Sequence, residues 1–312
     1  MDNRIDRRRL IGHAAAALLV SNSRLTAQPT EAIGIPREAV GIYRAPTFIV
    51  AKDGTRLFVQ DWGSGRPIVF LSAWTFNSNV WGSHIAALNA RGFRCIAPDR
   101  RGHGRSDVTC TGYDPDTLAQ DLAAVIDGLD LKDVVLVSHS MGLLEAAKYC
   151  AGRGSHRIAR LVLAASISPC LTRAPDNPEG FPSAAIQAQE NQIAKDFPKW
   201  IDENEAPFFT SDTTPATRTW IKTMMLSVPL PVALACRRAG AAAELRADLA
   251  KITCPTLLLH GDKDSSAPLA YTAARTSRLI PNTKLIVYPD APHALILTHR
   301  DRFLSDLLAF AE

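Results

Sequence analysis

The chain has 312 residues, 46% of them hydrophobic and 21% charged, with a formal net charge of +4. These are the proportions of an ordinary globular protein with a sizeable core, and they exclude a disordered chain or a filament. The small positive charge is crowded at the N-terminus, so there is no basic stripe of the kind a nucleic-acid partner requires.

Taken in chain order, Arg4, Arg7, Arg8 and Arg9 precede an apolar run from Leu10 to Val20, with small or polar residues up to Ala27. Residues 1–27 therefore have the form of an export signal, and Arg7-Arg8-Arg9-Leu10-Ile11 resembles the twin-arginine type. Cleavage near Ala27 would leave an exported protein, periplasmic or secreted, without a stable membrane anchor; cytoplasmic residence is the alternative. The apolar run is too short for a membrane span. Residues 28–46 form a polar, proline-containing linker, and residues 47–312 the folded domain.

Within that domain, Thr47 to Ala51 and Arg56 to Asp61 alternate like two strands around the hairpin dipeptide Asp53-Gly54. Pro67 to Ser72, Phe93 to Ala97, Asp133 to Val137, Leu161 to Ala164, Thr256 to His260 and Leu285 to Tyr288 are short apolar runs of the kind buried on both faces of a parallel sheet. Helical patterns at Val80 to Ala90, Asp116 to Leu129 and Ser140 to Cys150 alternate with them. The pattern predicts an α/β fold with a mostly parallel, doubly wound sheet of about eight strands. From about residue 168 to 251 there is no strand-like run. Prolines divide this interval into short helical pieces rich in aromatic residues, which predicts a helical cap inserted between two strands.

The six cysteines show no metal-ligand spacing, and nothing in the sequence calls for a metal or cofactor. Export would permit a disulfide among Cys110, Cys170 and Cys236, and the sequence selects no pair.

The chemistry centres on Val135-Leu136-Val137-Ser138-His139-Ser140-Met141-Gly142, a strand that ends abruptly in small residues before a helix. A serine at such a turn becomes a nucleophile only if a base removes its proton and N–H donors stabilise the oxyanion. Asp262 and Asp264 both follow a buried strand, and His293 follows the last strand, at the sheet edge where open α/β proteins place ligands.

Ser138-x-Ser140-x-Gly142 resembles the nucleophile elbow of the α/β-hydrolase superfamily. Ala97-Pro98-Asp99-Arg100-Arg101-Gly102-His103-Gly104-Arg105-Ser106-Asp107, His260-Gly261-Asp262-Lys263-Asp264 and Asp290-Ala291-Pro292-His293 resemble motifs of its non-haem chloroperoxidase and arylesterase branch. The resemblance runs from about Arg56 to the C-terminus and is weakest in the cap. It implies Ser140 as nucleophile, His293 as base and Asp264, rather than Asp262, as the acid that orients the histidine. It also implies oxyanion donors from the backbone N–H groups of Met141 and Trp74. His139 is expected to pack beneath the site and Asp99 to organise its loop.

Two departures stand out. Ser72-Ala73 occupies the place of the family's His-Gly, and Ser138 that of its Gly. A positive φ at residue 73 would not suit alanine as it suits glycine. Trp74, Trp200 and Trp220 are the candidate substrate contacts. The expected activity is cofactor-free hydrolysis of a small or aromatic carboxylic ester through an acyl-enzyme. A lactonase or amidase could use the same groups, with perhydrolysis as a side activity. A ligand-binding protein that kept the fold without turnover is the alternative of another class. The sequence carries no pattern that sets an oligomeric state.

Overall fold

The computed structural model describes residues 47–312, so the predicted export signal and linker lie outside the described residues. Eight strands form one sheet: β1 (Thr47–Val50), β2 (Arg56–Trp62), β3 (Pro67–Leu71), β4 (Arg94–Pro98), β5 (Val134–His139), β6 (Ile158–Ala164), β7 (Thr256–Gly261) and β8 (Thr283–Tyr288). Their order is β1-β2-β4-β3-β5-β6-β7-β8. β1 and β2 pair antiparallel and β2 meets β4 antiparallel; every later pairing is parallel.

The continuous apolar runs work because alternate residues of one strand serve opposite faces. Val69, Leu71, Leu136, Leu161, Leu163 and Leu258 enter one core, with α2 (Pro115–Gly128) and α3 (Leu143–Ala151) against them. Ile68, Phe70, Val135, Val137, Val162 and Leu259 enter the other. That second face is covered by α1 (Gly82–Asn89) and α11 (Arg300–Ala311), through residues such as Ile85, Leu88, Phe303 and Leu307.

Both predicted helices flanking the site region begin differently from their sequence pattern. A 3₁₀ turn at Ser78–Trp81, capped by the Asn77 side chain on the Asn79 N–H, precedes α1. Another at Ser140–Gly142 precedes α3. The sequence pattern does not predict the C-terminal α9 (Ala273–Leu279), α10 (Leu295–Thr298) and α11.

Between β6 and β7 the chain forms α4 (Ser183–Lys195), α5 (Phe197–Asn204), α6 (Pro215–Leu226), α7 (Leu230–Ala242) and α8 (Arg246–Leu249). Several of the prolines that interrupt this interval are helix starters. Pro198, Pro215 and Pro231 occupy the first turns of α5, α6 and α7, where no N–H is missed. Asp196 and Thr214 accept the N–H groups of Lys199 and Thr217 as N-caps. This helical layer is tied to the sheet by the Trp74 indole, which donates to the Ala233 carbonyl at 2.8 Å, and by the Ala294 N–H on the Phe208 carbonyl at 3.2 Å.

Buried histidines make this fold acid-sensitive. Burial pushes the pKa of His84 down to about 4 and those of His103 and His139 to about 3, and burial lowers that of His260 as well. An unfolded chain protonates these rings near pH 6.5, whereas the native state holds them neutral to far lower pH. The unfolded state thus binds more protons below about pH 6.5, and stability falls as pH falls. Urea midpoints are expected to drop between pH 7 and pH 5, before the carboxylates titrate; a flat profile over that window would contradict neutral burial.

Candidate active site

Parallel register brings the ends of the central strands to one edge. Leu71 lies beside Ser138, Ser138 beside Leu163, and Gly261 beside Tyr288. The segments that follow β3, β5, β7 and β8 therefore carry Ser72-Ala73-Trp74, Ser140, Asp264 and His293 to a common place.

Ser140 sits in the left-handed region at φ 54°, a conformation that costs a non-glycine residue about 1–3 kcal/mol and persists only when its surroundings enforce it. Close packing of the turn is part of that enforcement. A Cβ on Gly142 would lie 2.9 Å from the Ser138 Oγ and 3.0 Å from the Leu71 Cβ, so even a methyl group two residues beyond the serine would crowd both neighbours. Ser138 is fully buried and fits between β3 and β6 without displacing the turn; its hydroxyl has no partner among the described residues.

The three predicted side chains meet. His293 Nε2 lies 2.9 Å from the Ser140 Oγ, and His293 Nδ1 lies 2.7 Å from the Asp264 Oδ2. The other carboxylate oxygen, Oδ1, accepts the Ala267 N–H at 2.7 Å. Burial works to raise the Asp264 pKa, but the charge and hydrogen bond of His293, together with the charge of His260 and the Ala267 N–H, outweigh it and hold the carboxyl below its ordinary value. Asp262 is elsewhere: its Oδ1 accepts the Asp290 N–H at 2.7 Å, closing the turn that leads to His293.

His139 lies under His293, with ring centroids 5.4 Å apart. Its Nε2–H donates to the His293 carbonyl at 3.1 Å, which fixes the backbone that carries the imidazole. His260 Nε2–H donates to the Ala267 carbonyl at 2.7 Å and sits 3.4 Å from Asp264. Asp99 organises its loop, accepting the Ser78 and Arg105 N–H groups at 2.7 and 2.9 Å.

At the facing loop the positive φ falls on Thr75, at 62°, and not on Ala73. Alanine in place of glycine therefore meets no left-handed backbone. Ser72 is engaged as well, its Oγ accepting the Trp81 indole N–H at 3.2 Å.

The loop is held by a buried ion pair whose two residues lie 45 apart in sequence and share no local motif. Arg100 donates to the Ser72 carbonyl at 2.7 Å and the Ala73 carbonyl at 3.3 Å, and to the Glu145 Oε1 on α3 at 2.6 and 3.1 Å. One buried guanidinium thus ties the loop before Trp74 to the helix that starts at the nucleophile. Removing it by Arg100→Met leaves Glu145 buried and unpaired, an expected cost of about 3–5 kcal/mol. The loop is also freed, with an expected loss in kcat of about 10 to 100-fold. The double variant Arg100→Met/Glu145→Leu is expected to regain stability in thermal unfolding without regaining the rate; recovery of both would reduce Arg100 to a structural role.

Ser140, His293, Met141 and Trp74 open on a cavity of about 380 Å³ beneath the inserted helices, in the size range of small-molecule sites. Its wall is largely apolar and includes Trp200, Phe208, Ile221, Met225 and Tyr271. Trp220 is not part of it. That side chain is 41% exposed, because the face of α6 carrying Ile221 and Met225 turns toward the cavity and leaves Trp220 outside. Trp74 packs edge-on to Trp200 with centroids 5.6 Å apart, so its indole is both a cavity wall and an attachment for the helical layer.

All six cysteines are free, and Cys236, at the cavity wall, has its thiol pushed up to about 12 by burial, which leaves it unreactive. Among the described residues no group of His, Cys, Asp or Glu has a metal-binding arrangement.

The family model described as alpha/beta hydrolase fold matches residues 66–300. A non-heme chloroperoxidase of Kitasatospora aureofaciens is 34% identical over 266 residues, covering 83% of this chain and 97% of that protein. A bifunctional esterase/perhydrolase of Acinetobacter calcoaceticus is 32% identical over 280 residues, 84% of this chain and 98% of its own. Among solved structures, an esterase from Exiguobacterium antarcticum superposes with a TM-score of 0.82 at 31% identity, over 86% of this chain and 99% of that one. Strand order, elbow geometry and sequence likeness agree across the same span, and this chain belongs to the α/β-hydrolase fold family, in its branch of non-haem chloroperoxidases and esterases.

Proposed function

We propose that this protein is a serine hydrolase that cleaves a small or aromatic carboxylic ester through an acyl-enzyme. The observation that supports this most directly is the unbroken hydrogen-bond chain from the Ser140 hydroxyl through His293 to Asp264. In this reading His293 Nε2 takes the serine proton as Oγ attacks the carbonyl carbon. Asp264, ionised because its pKa lies below the usual carboxylate value, keeps the Nδ1–H tautomer and stabilises the imidazolium. The carbonyl oxygen becomes an oxyanion, received by the N–H groups of Met141 and Trp74. Met141 lies at the start of the helical segment after Ser140, where the positive end of the helix dipole favours that charge.

His293 then gives its proton to the departing alkoxide. Water enters, loses a proton to His293 and attacks the acyl carbon; the acyl–Oγ bond then breaks as His293 returns that proton to Oγ, releasing the carboxylic acid and restoring Ser140. Hydrogen peroxide in place of water would release a peracid by the same steps, an activity suggested by the esterase/perhydrolase relative. Lactones and amides pass through the same intermediate. Every group required is a side chain or amide of this chain.

A fluorophosphonate probe followed by peptide mass mapping tests the nucleophile. Labelling at Ser140 is expected, and a folded protein labelled elsewhere or not at all would refute the assignment. A panel of aryl and alkyl esters, lactones and amides then fixes the subclass; failure to turn over any ester would favour a binding protein on this fold.

A further inference from the structure

Three cations line the cavity that opens on Ser140: Arg218, Lys222 and Arg237. Two are matched by carboxylates, Arg218 by Glu205 at 3.1 Å and Lys222 by Asp202. Arg237 has no carboxylate partner among the described residues. The nearby Glu190 is committed to Arg238 at 2.9 Å. The Arg237 guanidinium lies 5.9 Å from the ring centres of both Trp74 and Trp200 and donates through Nη2 to the Gln189 amide oxygen. Its Nε is buried and unpartnered.

Burial lowers the pKa of Arg237, with Glu190 acting in the opposite direction, yet a guanidinium remains protonated across the working range. A permanent charge set against a largely apolar wall is costly unless an anion arrives to meet it. Other arginines in this protein show what the same edge of the group takes. Arg94 grips Asp61 through Nε and Nη2 at 2.8 and 2.7 Å, and Arg101 grips Asp121 through the same atoms at 2.6 Å each. On Arg237 the Nε has no partner and Nη2 meets only the side chain of Gln189, an exposed residue with a neutral amide.

We propose that Arg237 receives a free carboxylate carried by the substrate, so that the Ser140 site acts on esters that bear a second, unesterified carboxyl group. The proposal rests on the ester-hydrolase reading above. In it the carboxylate takes the place of the Gln189 oxygen on the guanidinium. Trp74 and Trp200 flank the ion pair, excluding water and strengthening it. Trp74 borders Ser140 as well, and the carbon skeleton of the substrate lies along this indole wall between the two ends of the site. A carboxylate on the acyl part and one on the alcohol part present the same chemistry to Arg237.

The test compares each free-acid ester with its methyl-capped counterpart. One arm places the carboxylate on the acyl side, using the mono-4-nitrophenyl esters of succinate, glutarate and adipate. The other places it on the alcohol side, using 4-acetoxybenzoate. The wild type is expected to favour a free acid in at least one arm by ten-fold or more in kcat/KM, carried mainly by KM. Arg237→Met is expected to reduce that ratio by ten-fold or more, and Arg237→Lys to retain part of it.

Preference of the wild type for the capped ester in both arms overturns the proposal, and this measurement requires no variant to fold. An unchanged ratio in Arg237→Met overturns it too. Hydrolysis without charge preference sinks the carboxylate site alone, whereas absence of Ser140-dependent hydrolysis of every ester sinks the hydrolase reading with it.

Discussion

Replacing Ser140 by Ala is expected to abolish ester hydrolysis, lowering kcat by about 10⁴ to 10⁶-fold, while the protein remains folded. The substitution removes one oxygen, the atom 2.9 Å from His293 Nε2, and without it no acyl-enzyme can form. The packing that enforces the turn is untouched, since Gly142, Leu71 and Ser138 all remain. Ser140→Gly provides a second reading of the same position. It loses the nucleophile equally, but it relieves the left-handed strain at φ 54° and is expected to raise the unfolding free energy by about 1 kcal/mol. Initial rates on 4-nitrophenyl acetate, paired with urea unfolding, measure both. More than a tenth of the wild-type rate in folded Ser140→Ala would mean that the chemistry lies elsewhere.

Asp264→Asn is expected to cost about 10⁴-fold in kcat. Asparagine has nearly the shape of aspartate, but its amide can satisfy only one of the two demands on this side chain. Oδ1 must accept the Ala267 N–H and Oδ2 must accept the His293 Nδ1–H. With the amide oxygen on Ala267, the NH₂ group faces His293 Nδ1 and selects the tautomer protonated on Nε2. That tautomer donates to Ser140 instead of accepting its proton, so the base is lost although the geometry survives.

The same substitution has a pH signature. The native Asp264 pKa is depressed, so its ionised form contributes stability that is full above about pH 4 and lost as pH falls through the lower native value. The stability gap between wild type and Asp264→Asn is therefore expected to narrow in acid. A rate within ten-fold of wild type would show that the tautomer is fixed by some other group.

Ser140 and His293 were legible because each closely follows a strand of apolar pattern, whereas Asp262 and Asp264 follow the same strand and only the resemblance to the α/β-hydrolase motif separated them. Parallel pairing then carries such strand ends to one edge whatever the loops between them contain. The sheet was legible for the same reason: strands buried on both faces leave continuous runs of Val, Leu and Ile, as in Val134 to Val137. Less was readable around the facing loop. Concern for Ala73 assumed that the turn places its positive φ there, whereas the loop folds so that Thr75 takes it. Which residue of a short turn absorbs the strain depends on what the turn is tied to, here the Arg100 contacts with the carbonyls of Ser72 and Ala73.

Trp220 shows the limit from another side. The composition of the inserted segment announced aromatic residues, but whether one faces substrate or solvent depends on how α6 is rotated against the sheet, and α6 carries Ile221 into the cavity and Trp220 out of it. Arg237 had no sequence signal at all. Arginines are frequent on helix surfaces, and this one is distinguished only by the neighbours that the fold gives it and by the carboxylate it lacks.

The sequence by itself determined the order of the strands along the chain and the class of the fold, because local apolar periodicity is a property of contiguous residues, and its motifs, through their resemblance to the α/β-hydrolase family, singled out the three residues of the hydrogen-bonded chain. Only the tertiary structure decided the anchoring of the Ser72 to Trp74 loop, the lining of the cavity and the unmatched charge at Arg237. Those features depend on side chains distant in sequence, brought together by packing of the inserted helices on the sheet, and no local pattern records them.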